Sequence, residues 1–210
     1  MNFIDIPLGE RPEPADSRRL DRRLAIIDAA ESLFLEQGYE RTSLAAIIKR
    51  SGGSLATVYE LFGNKQGLLR AVVERASDMA HIGSGMCELD SGAEMLRQYA
   101  YLLSEHMTAP RSVALMRVVI AEALRDPAFG RAFHRDVHQP FVRDVAAAFA
   151  LWTREGRARI DDPEAAAELY LATIFSDAQL NAMIAADVRP PDRAKIAWRL
   201  APFLAWFAIA

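Results

Sequence analysis

Apolar residues recur at the spacing of a helix along most of this chain. In residues 17–37 they follow one helical face, and Gly38 marks the end of that helix. Two shorter segments, residues 42–50 and 55–62, each carry an apolar stripe, and Ser51-Gly52-Gly53-Ser54 separates them. The glycines can adopt the positive φ that a sharp bend requires. The pattern therefore predicts two helices of about two turns joined by a tight turn, the arrangement called a helix-turn-helix.

Helical spacing continues through the rest of the chain. No segment alternates between apolar and polar residues with period two, so we expect no sheet. The prediction is an all-α fold of about nine helices, in which a three-helix head carries the helix-turn-helix and a helical body follows. Its domains are a flexible arm over residues 1–16, the head over 17–64 and the body over 65–210. Beyond the head, we predict helices over residues 65–80, 91–107, 111–124, a short segment that starts at Asp126-Pro127, 141–155, 164–186 and 193–208.

Charge is distributed unevenly along the chain. The net charge is −3, but residues 18–70 contain nine Lys and Arg against six Asp and Glu, whereas residues 76–210 contain fourteen against seventeen. The basic excess thus lies with the helix-turn-helix, whose second helix would enter the major groove of DNA. Four arginines gather near the start of the first helix, and as a group they predict an edge that faces DNA phosphates. They are Arg18, Arg19, Arg22 and Arg23.

Other kinds of chemistry find little support. The single cysteine, Cys87, excludes an intrachain disulfide, and no apolar run is long enough to cross a membrane. His134 and His138 have the spacing of two metal ligands, but no third ligand is evident and a surface pair is the simpler interpretation. We expect a cytoplasmic protein with no membrane partner, no metal, no cofactor and no catalytic residues. An α-helical enzyme or metal-binding protein with a vestigial head is the alternative.

Residues 23–69 resemble the N-terminal domain of the TetR/AcrR family of transcriptional regulators. The residues that carry this resemblance are IIDAAESLFLEQGYERTSLAAIIKRSGGSLATVYELFGNKQGLL, about a fifth of the chain. Elsewhere the match is only in the number and order of helices. The resemblance implies that four side chains hold DNA phosphates: Thr42, Thr57, Tyr59 and Lys65. Base edges would be contacted from the start and outer face of the second helix, by Ser54, Leu55, Ala56 and Glu60.

Three positions depart from the family pattern. Leu55 stands where a basic or polar residue is frequent, so a guanine contact is lost, although a thymine methyl group remains a possible contact. Glu60 brings a carboxylate near DNA, where it accepts from cytosine N4 or only repels phosphate. Gly53 replaces a small apolar residue and loosens the turn. Tyr59 has a second interpretation as a core aromatic residue.

The resemblance also implies a homodimer and a small apolar effector. In such a dimer the last two long helices of each subunit form a four-helix bundle, and aromatic residues suit its core. The candidates for that interface are Leu169, Thr173, Trp198, Phe203, Trp206 and Phe207. The candidates for an effector pocket are Tyr99, Leu103, His106, Met116, Ile120, Phe133, Phe141 and Trp152. An ordinary intrachain core is the alternative for each member of both sets.

These expectations combine into one function. The chain is expected to be a ligand-responsive repressor that binds a pseudo-palindromic DNA operator as a dimer. The alternative is a DNA-binding regulator with no small-molecule effector.

Overall fold

The computed structural model describes residues 14–76, 91–184 and 192–209. Within these ranges the chain is all-α, as predicted, with ten α-helices rather than about nine. A π-helical turn, His134–His138, joins the seventh helix to the eighth. The helices are α1 Pro14–Gln37, α2 Leu44–Ser51, α3 Leu55–Phe62, α4 Lys65–Ala76, α5 Gly92–Thr108, α6 Pro110–Arg125, α7 Pro127–Phe133, α8 Gln139–Arg154, α9 Pro163–Met183 and α10 Arg193–Trp206.

Local side chains set many of the helix starts. Asp126, Asp162 and Asp192 accept hydrogen bonds from the first amide groups of α7, α9 and α10, which otherwise lack a partner. The start of α1 differs from the prediction, because the helix begins at Pro14 and includes the end of the predicted arm. The rest of that arm, the end of the helix predicted over residues 65–80, and Cys87 lie outside the described residues.

The chain divides into two compact units at Val72–Val73. The division lies within α4 rather than at the predicted boundary between residues 64 and 65, because the first half of α4 belongs to the core of the head. The most deeply buried large side chains of that core include Ile26, Ile27, Phe34, Ile47, Val58, Leu68, Leu69 and Val72. Leu20 and Leu24 continue the apolar stripe of α1 at helical spacing but are 54% and 36% exposed.

Gly67 is required where α3 leads into α4. It lies in the first turn of α4, and a Cβ atom at this position would collide with the backbone carbonyl oxygen of Phe62. The amide of Gly67 also donates to Asn64 Oδ1 over 2.8 Å, so the Asn64 side chain caps that helix. A side chain is therefore excluded by backbone, which cannot move aside as a flexible side chain can.

The second unit is built around buried aromatic side chains from α8, α9 and α10. Phe149, Tyr170 and Phe203 have ring centroids within 5.9 Å of one another. The hydroxyl of Tyr170 donates to the Leu96 carbonyl on α5 over 2.7 Å, which satisfies the polar end of this buried residue. No helix in the described ranges has the length and apolarity that crossing a bilayer requires.

The α6 helix is less enclosed than its sequence suggested. Val113, Leu115 and Val119 are buried, but Ile120 is 43% exposed and Leu124 is 80% exposed. The densely apolar sequence of α6 therefore does not bury this helix on most sides. Apolar residues occur on both faces of this helix, and only one face packs against the rest of its unit.

Candidate nucleic-acid interface

The helix-turn-helix forms between α2 and α3 as predicted. Ser43 caps α2 by accepting from the Ala46 amide over 3.1 Å, and Ser54 caps α3 by accepting from the Thr57 amide over 3.2 Å. Between the helices, Gly52 and Gly53 have φ values of +75° and +96°. Only glycine adopts these values without strain, so the two residues allow the bend between the helices.

One face of α3 is open to solvent. Leu55, Ala56, Tyr59 and Glu60 are exposed, whereas Val58 on the opposite side is fully buried. Positions i, i+1, i+4 and i+5 of a helix lie on one side of it, so these four residues form a continuous surface. We call these four residues the α3 face. It contains three of the four predicted base-edge residues and the predicted phosphate contact Tyr59, which is 55% exposed rather than a core aromatic.

Ser54 and Thr57 are joined to each other at the start of α3. Their hydroxyl oxygens are 3.0 Å apart, in addition to the capping bond from the Thr57 amide. Ser54 is exposed and Thr57 is half-buried. The capping role of Ser54 orders the N-terminal end of α3, where amide groups and the helix dipole favour an anion.

Thr42 does not have the position of a phosphate ligand. Its side chain is 1% exposed. Its hydroxyl lies 2.8 Å from the Gly38 carbonyl and 3.1 Å from the Leu33 carbonyl, and it accepts from Gln37 Nε2 over 3.2 Å. The prediction that the Thr42 side chain contacts phosphate was wrong, because the hydroxyl is enclosed and bonded to the C-terminal end of α1.

Lys65 lies at the first position of α4. Its Nζ donates to the Glu40 carbonyl over 3.3 Å and sits 4.2 Å from the centre of the Tyr39 ring. The ring supports the ammonium group by a cation–π contact. The side chain is half-buried, and its anchored charge lies beside the loop that joins α1 to α2.

Three of the four α1 arginines contact the helix-turn-helix itself. Arg19 pairs with Glu60 over 3.3 Å. Arg22 donates to the Ser51 carbonyl over 3.2 Å, and a Cβ on Gly53 would lie 3.5 Å from its Cδ. The guanidinium carbon of Arg23 lies 5.6 Å from the centre of the Phe62 ring.

These contacts revise the role of the arginines. Their spacing of i, i+3 and i+4 places Arg19, Arg22 and Arg23 on one helical face, a signal that the sequence contained. This face was predicted to face phosphates, whereas in the structure it contacts the turn and α3. The Arg22 side chain also lies against Gly52 and Gly53 of the turn, where Gly53 replaces the small apolar residue of the family pattern.

The predicted effector residues are dispersed between core and surface. Tyr99, Leu103 and Trp152 are buried among the core side chains of the second unit. Burial, with a smaller effect of Asp144, raises the pKa of Tyr99 above its usual value. Ile120 faces solvent, so its assignment to an inward-facing pocket was wrong. The remaining candidates are half-buried: His106, Met116, Phe133 and Phe141.

The predicted dimer residues divide in the same way. Leu169, Trp198 and Trp206 are 53%, 76% and 82% exposed. Phe203 is 5% exposed and contacts Phe149, so it belongs to the core of its own chain and its assignment to the interface was wrong. An open depression of about 720 Å³ lies on α9 and α10, lined by Thr173, Trp198, Arg199, Ala201, Pro202 and Ala205. The half-buried ring of Phe207 packs against Phe203 at 4.8 Å.

The two spaced histidines form a stacked pair. His134 and His138 are exposed, with ring centroids 5.0 Å apart and planes inclined by 14°. Partial burial and the neighbouring His134 lower the pKa of His138, while Glu168 acts in the opposite direction. In the part of the chain that the structure describes, no three His, Cys, Asp or Glu side chains converge as they would around a metal ion.

Known proteins match this chain in both of its units. Residues 26–72 match the family described as bacterial regulatory proteins, tetR family. Residues 94–206, more than half of the chain, match the C-terminal domain of AefR-like transcriptional repressors. The HTH-type transcriptional repressor ComR of Escherichia coli is 37% identical over 90 residues, which are 41% of this chain and 43% of ComR. The chain thus spans less than half the length of this relative.

Solved structures extend the similarity to most of the fold. A TetR-family transcriptional regulator from Mesorhizobium loti superimposes with a TM-score of 0.75 and 26% identity, covering 90% of this chain and 98% of the other. The flavonoid-responsive regulator FrrA superimposes with a TM-score of 0.68 and 25% identity, covering 89% and 96%. Together with the helix-turn-helix geometry, these matches establish that the chain belongs to the TetR family of bacterial transcriptional regulators.

Proposed function

We propose that the chain is a transcriptional repressor that binds a pseudo-palindromic DNA operator as a homodimer. The observation that carries this proposal is the α3 face, which is exposed while Val58 behind it is fully buried. A helix held in this way can enter the major groove without unfolding its support. Tyr59, Thr57 and Lys65 would hold phosphates beside it. Action on DNA rather than catalysis is the common role of this family, and it implies a cytoplasmic location.

The direct test is selection of bound duplexes from a random DNA pool by the full chain. A single enriched palindrome, with half-sites one helical turn or about 34–36 Å apart, is the expected result. Tyr59→Phe provides a matched variant, because it removes only the hydroxyl that would donate to phosphate. Enrichment of no sequence, together with equal weak binding to all duplexes, would contradict the proposal.

Two copies would meet through the exposed surfaces of α9 and α10. Leu169, Trp198 and Trp206 leave large apolar areas in solvent there, and the neighbouring depression could accept a side chain from the second copy. Exposed apolar surface of this kind is typical of interaction sites. A dimer of this kind carries two copies of the α3 face related by two-fold symmetry. Light scattering of the full chain gives the oligomeric state directly.

The response to an effector is inferred from a structural neighbour. FrrA is a flavonoid-responsive regulator with a similar fold, which favours an apolar aromatic ligand. Against this, Tyr99, Leu103 and Trp152 are packed among core side chains, and this packing favours the alternative of a regulator with no effector. Release of operator DNA in fluorescence anisotropy, measured with a panel of flavonoids, separates the two. Release by one compound at micromolar concentration supports the effector, and no release by any supports the alternative.

A further inference from the structure

An exposed ion pair joins α1 to α3. Arg19 NH2 lies 3.3 Å from Glu60 Oε1, and the two side chains are 65% and 66% exposed. A solvent-exposed pair of this kind contributes little to folding stability. Its position is more informative than its strength, since Glu60 belongs to the α3 face.

The negative charge of the Glu60 carboxylate must be offset when DNA approaches the α3 face. Phosphates repel it, and the groove edges of guanine and the O4 atom of thymine present acceptors that it cannot bind. The major groove has two amino donors, adenine N6 and cytosine N4, and cytosine N4 is the usual partner of a glutamate because adenine also presents the N7 acceptor. Arg19 offsets the charge of Glu60 and restricts its rotamer through Oε1. The second carboxylate oxygen of Glu60, Oε2, accepts no hydrogen bond from the described residues, so it remains available to a base.

We propose that Arg19 is a specificity-determining residue that positions Glu60 to accept a hydrogen bond from a cytosine amino group in each half-site. The inference rests on the proposed function, because it requires α3 to lie in the major groove. Arg19 itself reads no base. It acts by holding one carboxylate oxygen of Glu60 and by neutralising the charge that would otherwise oppose docking.

The other arginines of α1 do not share this role. Arg22 donates to the Ser51 carbonyl, and Arg23 lies against the Phe62 ring. Arg18 is exposed and one residue away from Arg19, yet the ion pair recorded for Glu60 is with Arg19. Arg18→Gln therefore removes the same charge from the same end of α1 while leaving the pair intact, and serves as the matched control.

The test uses the duplex selected by the parent protein, with all four bases placed in turn at each half-site position. Fluorescence anisotropy at one salt concentration then gives relative affinities. The parent is expected to prefer cytosine at one position by about tenfold. Glu60→Gln should shift that preference to adenine, because an amide pairs with adenine N6 and N7. Arg19→Gln should reduce the cytosine preference to about threefold or less, and Arg18→Gln should retain it.

Distinct outcomes overturn the inference. Uniform weakening of all duplexes by Arg19→Gln, with a fall of about 0.9 in the slope of log affinity against log salt, would make Arg19 a phosphate contact. A cytosine preference that survives in Arg19→Gln at full size would remove its positioning role. In contrast, failure of the parent to select any duplex defeats the proposed function itself. Thermal unfolding of each variant excludes a folding defect, since the exposed pair should leave the transition unchanged.

Discussion

Thr42→Val separates a structural role of this residue from a DNA-binding role. The hydroxyl of Thr42 donates at the C-terminal end of α1, 2.8 Å from the Gly38 carbonyl and 3.1 Å from the Leu33 carbonyl. Valine has nearly the same shape, so the substitution removes the hydroxyl without leaving a cavity. The Leu33 carbonyl can remain bonded within α1, whereas Gly38 loses its short bond.

The expected cost follows from these contacts. A net hydrogen bond contributes about 0.5–1.5 kcal/mol, and the partly buried Gly38 carbonyl, which loses this donor, adds a smaller desolvation cost. We therefore expect Thr42→Val to lower the free energy of unfolding by about 1–2 kcal/mol, which corresponds to roughly 2–8 °C in melting temperature for a chain of this size. Urea unfolding followed by circular dichroism measures the loss directly.

The same variant should bind DNA with an unchanged salt dependence. Thr42→Ser is the control, because it keeps the hydroxyl and removes only a methyl group. The reasoning is refuted if Thr42→Val unfolds at the same urea concentration as the parent. If, in addition, its slope of log affinity against log salt falls by about 0.9, the hydroxyl contacts a phosphate after all.

Four further changes test other parts of the structure. Lys65→Ala should weaken all duplexes alike and lower the salt slope by about one unit; an unchanged slope in anisotropy counts against a phosphate contact. Gly67→Ala should lower the urea midpoint through its collision with backbone, and a parent-like midpoint would show that the α3–α4 junction relaxes easily. Trp206→Glu should yield monomers, so an intact dimer in light scattering rejects this interface. Because the pKa of folded His138 is lowered, the unfolded state binds the extra proton, and stability should fall as the pH drops below about 6.5. His138→Asn should flatten that dependence in urea titrations at several pH values.

The local elements were predictable because their signals are local. Ser54 and Gly63 bound α3, so its predicted range of residues 55–62 matches the structure. The aspartate caps of the body act in the same way, through side chains that lie next to the amides they accept from. The start of α1 was less accurate, since the helix begins at Pro14 rather than at residue 17. The division between the units lies within α4, because packing of α4 into the head is not a local property of its sequence.

Burial within an apolar helix was harder to predict. Leu20, Ile120 and Leu124 satisfy the helical spacing of core residues but are exposed. Periodicity identifies an apolar face, yet it does not say whether another helix covers the end of that face. The prediction for Thr42 was wrong for a related reason. A threonine hydroxyl can donate to a phosphate or to a backbone carbonyl, and the sequence does not show whether the hydroxyl is enclosed by the fold.

The aromatic residues of α10 are divided between the core of the chain and a surface that a second copy could cover. Phe203 is buried by its own chain, whereas Trp198 and Trp206 on the same helix are 76% and 82% exposed. A buried tryptophan removes about 150–250 Å² from water, and apolar burial stabilises by about 25 cal/mol per Å². Burial of each exposed indole in an interface would therefore contribute roughly 4–6 kcal/mol to association, before the entropic costs of association are subtracted. In a two-fold interface each side chain is counted twice. A single Trp206→Glu substitution would therefore remove two apolar contacts and place two carboxylates in one interface, which is why one change should suffice to separate the subunits.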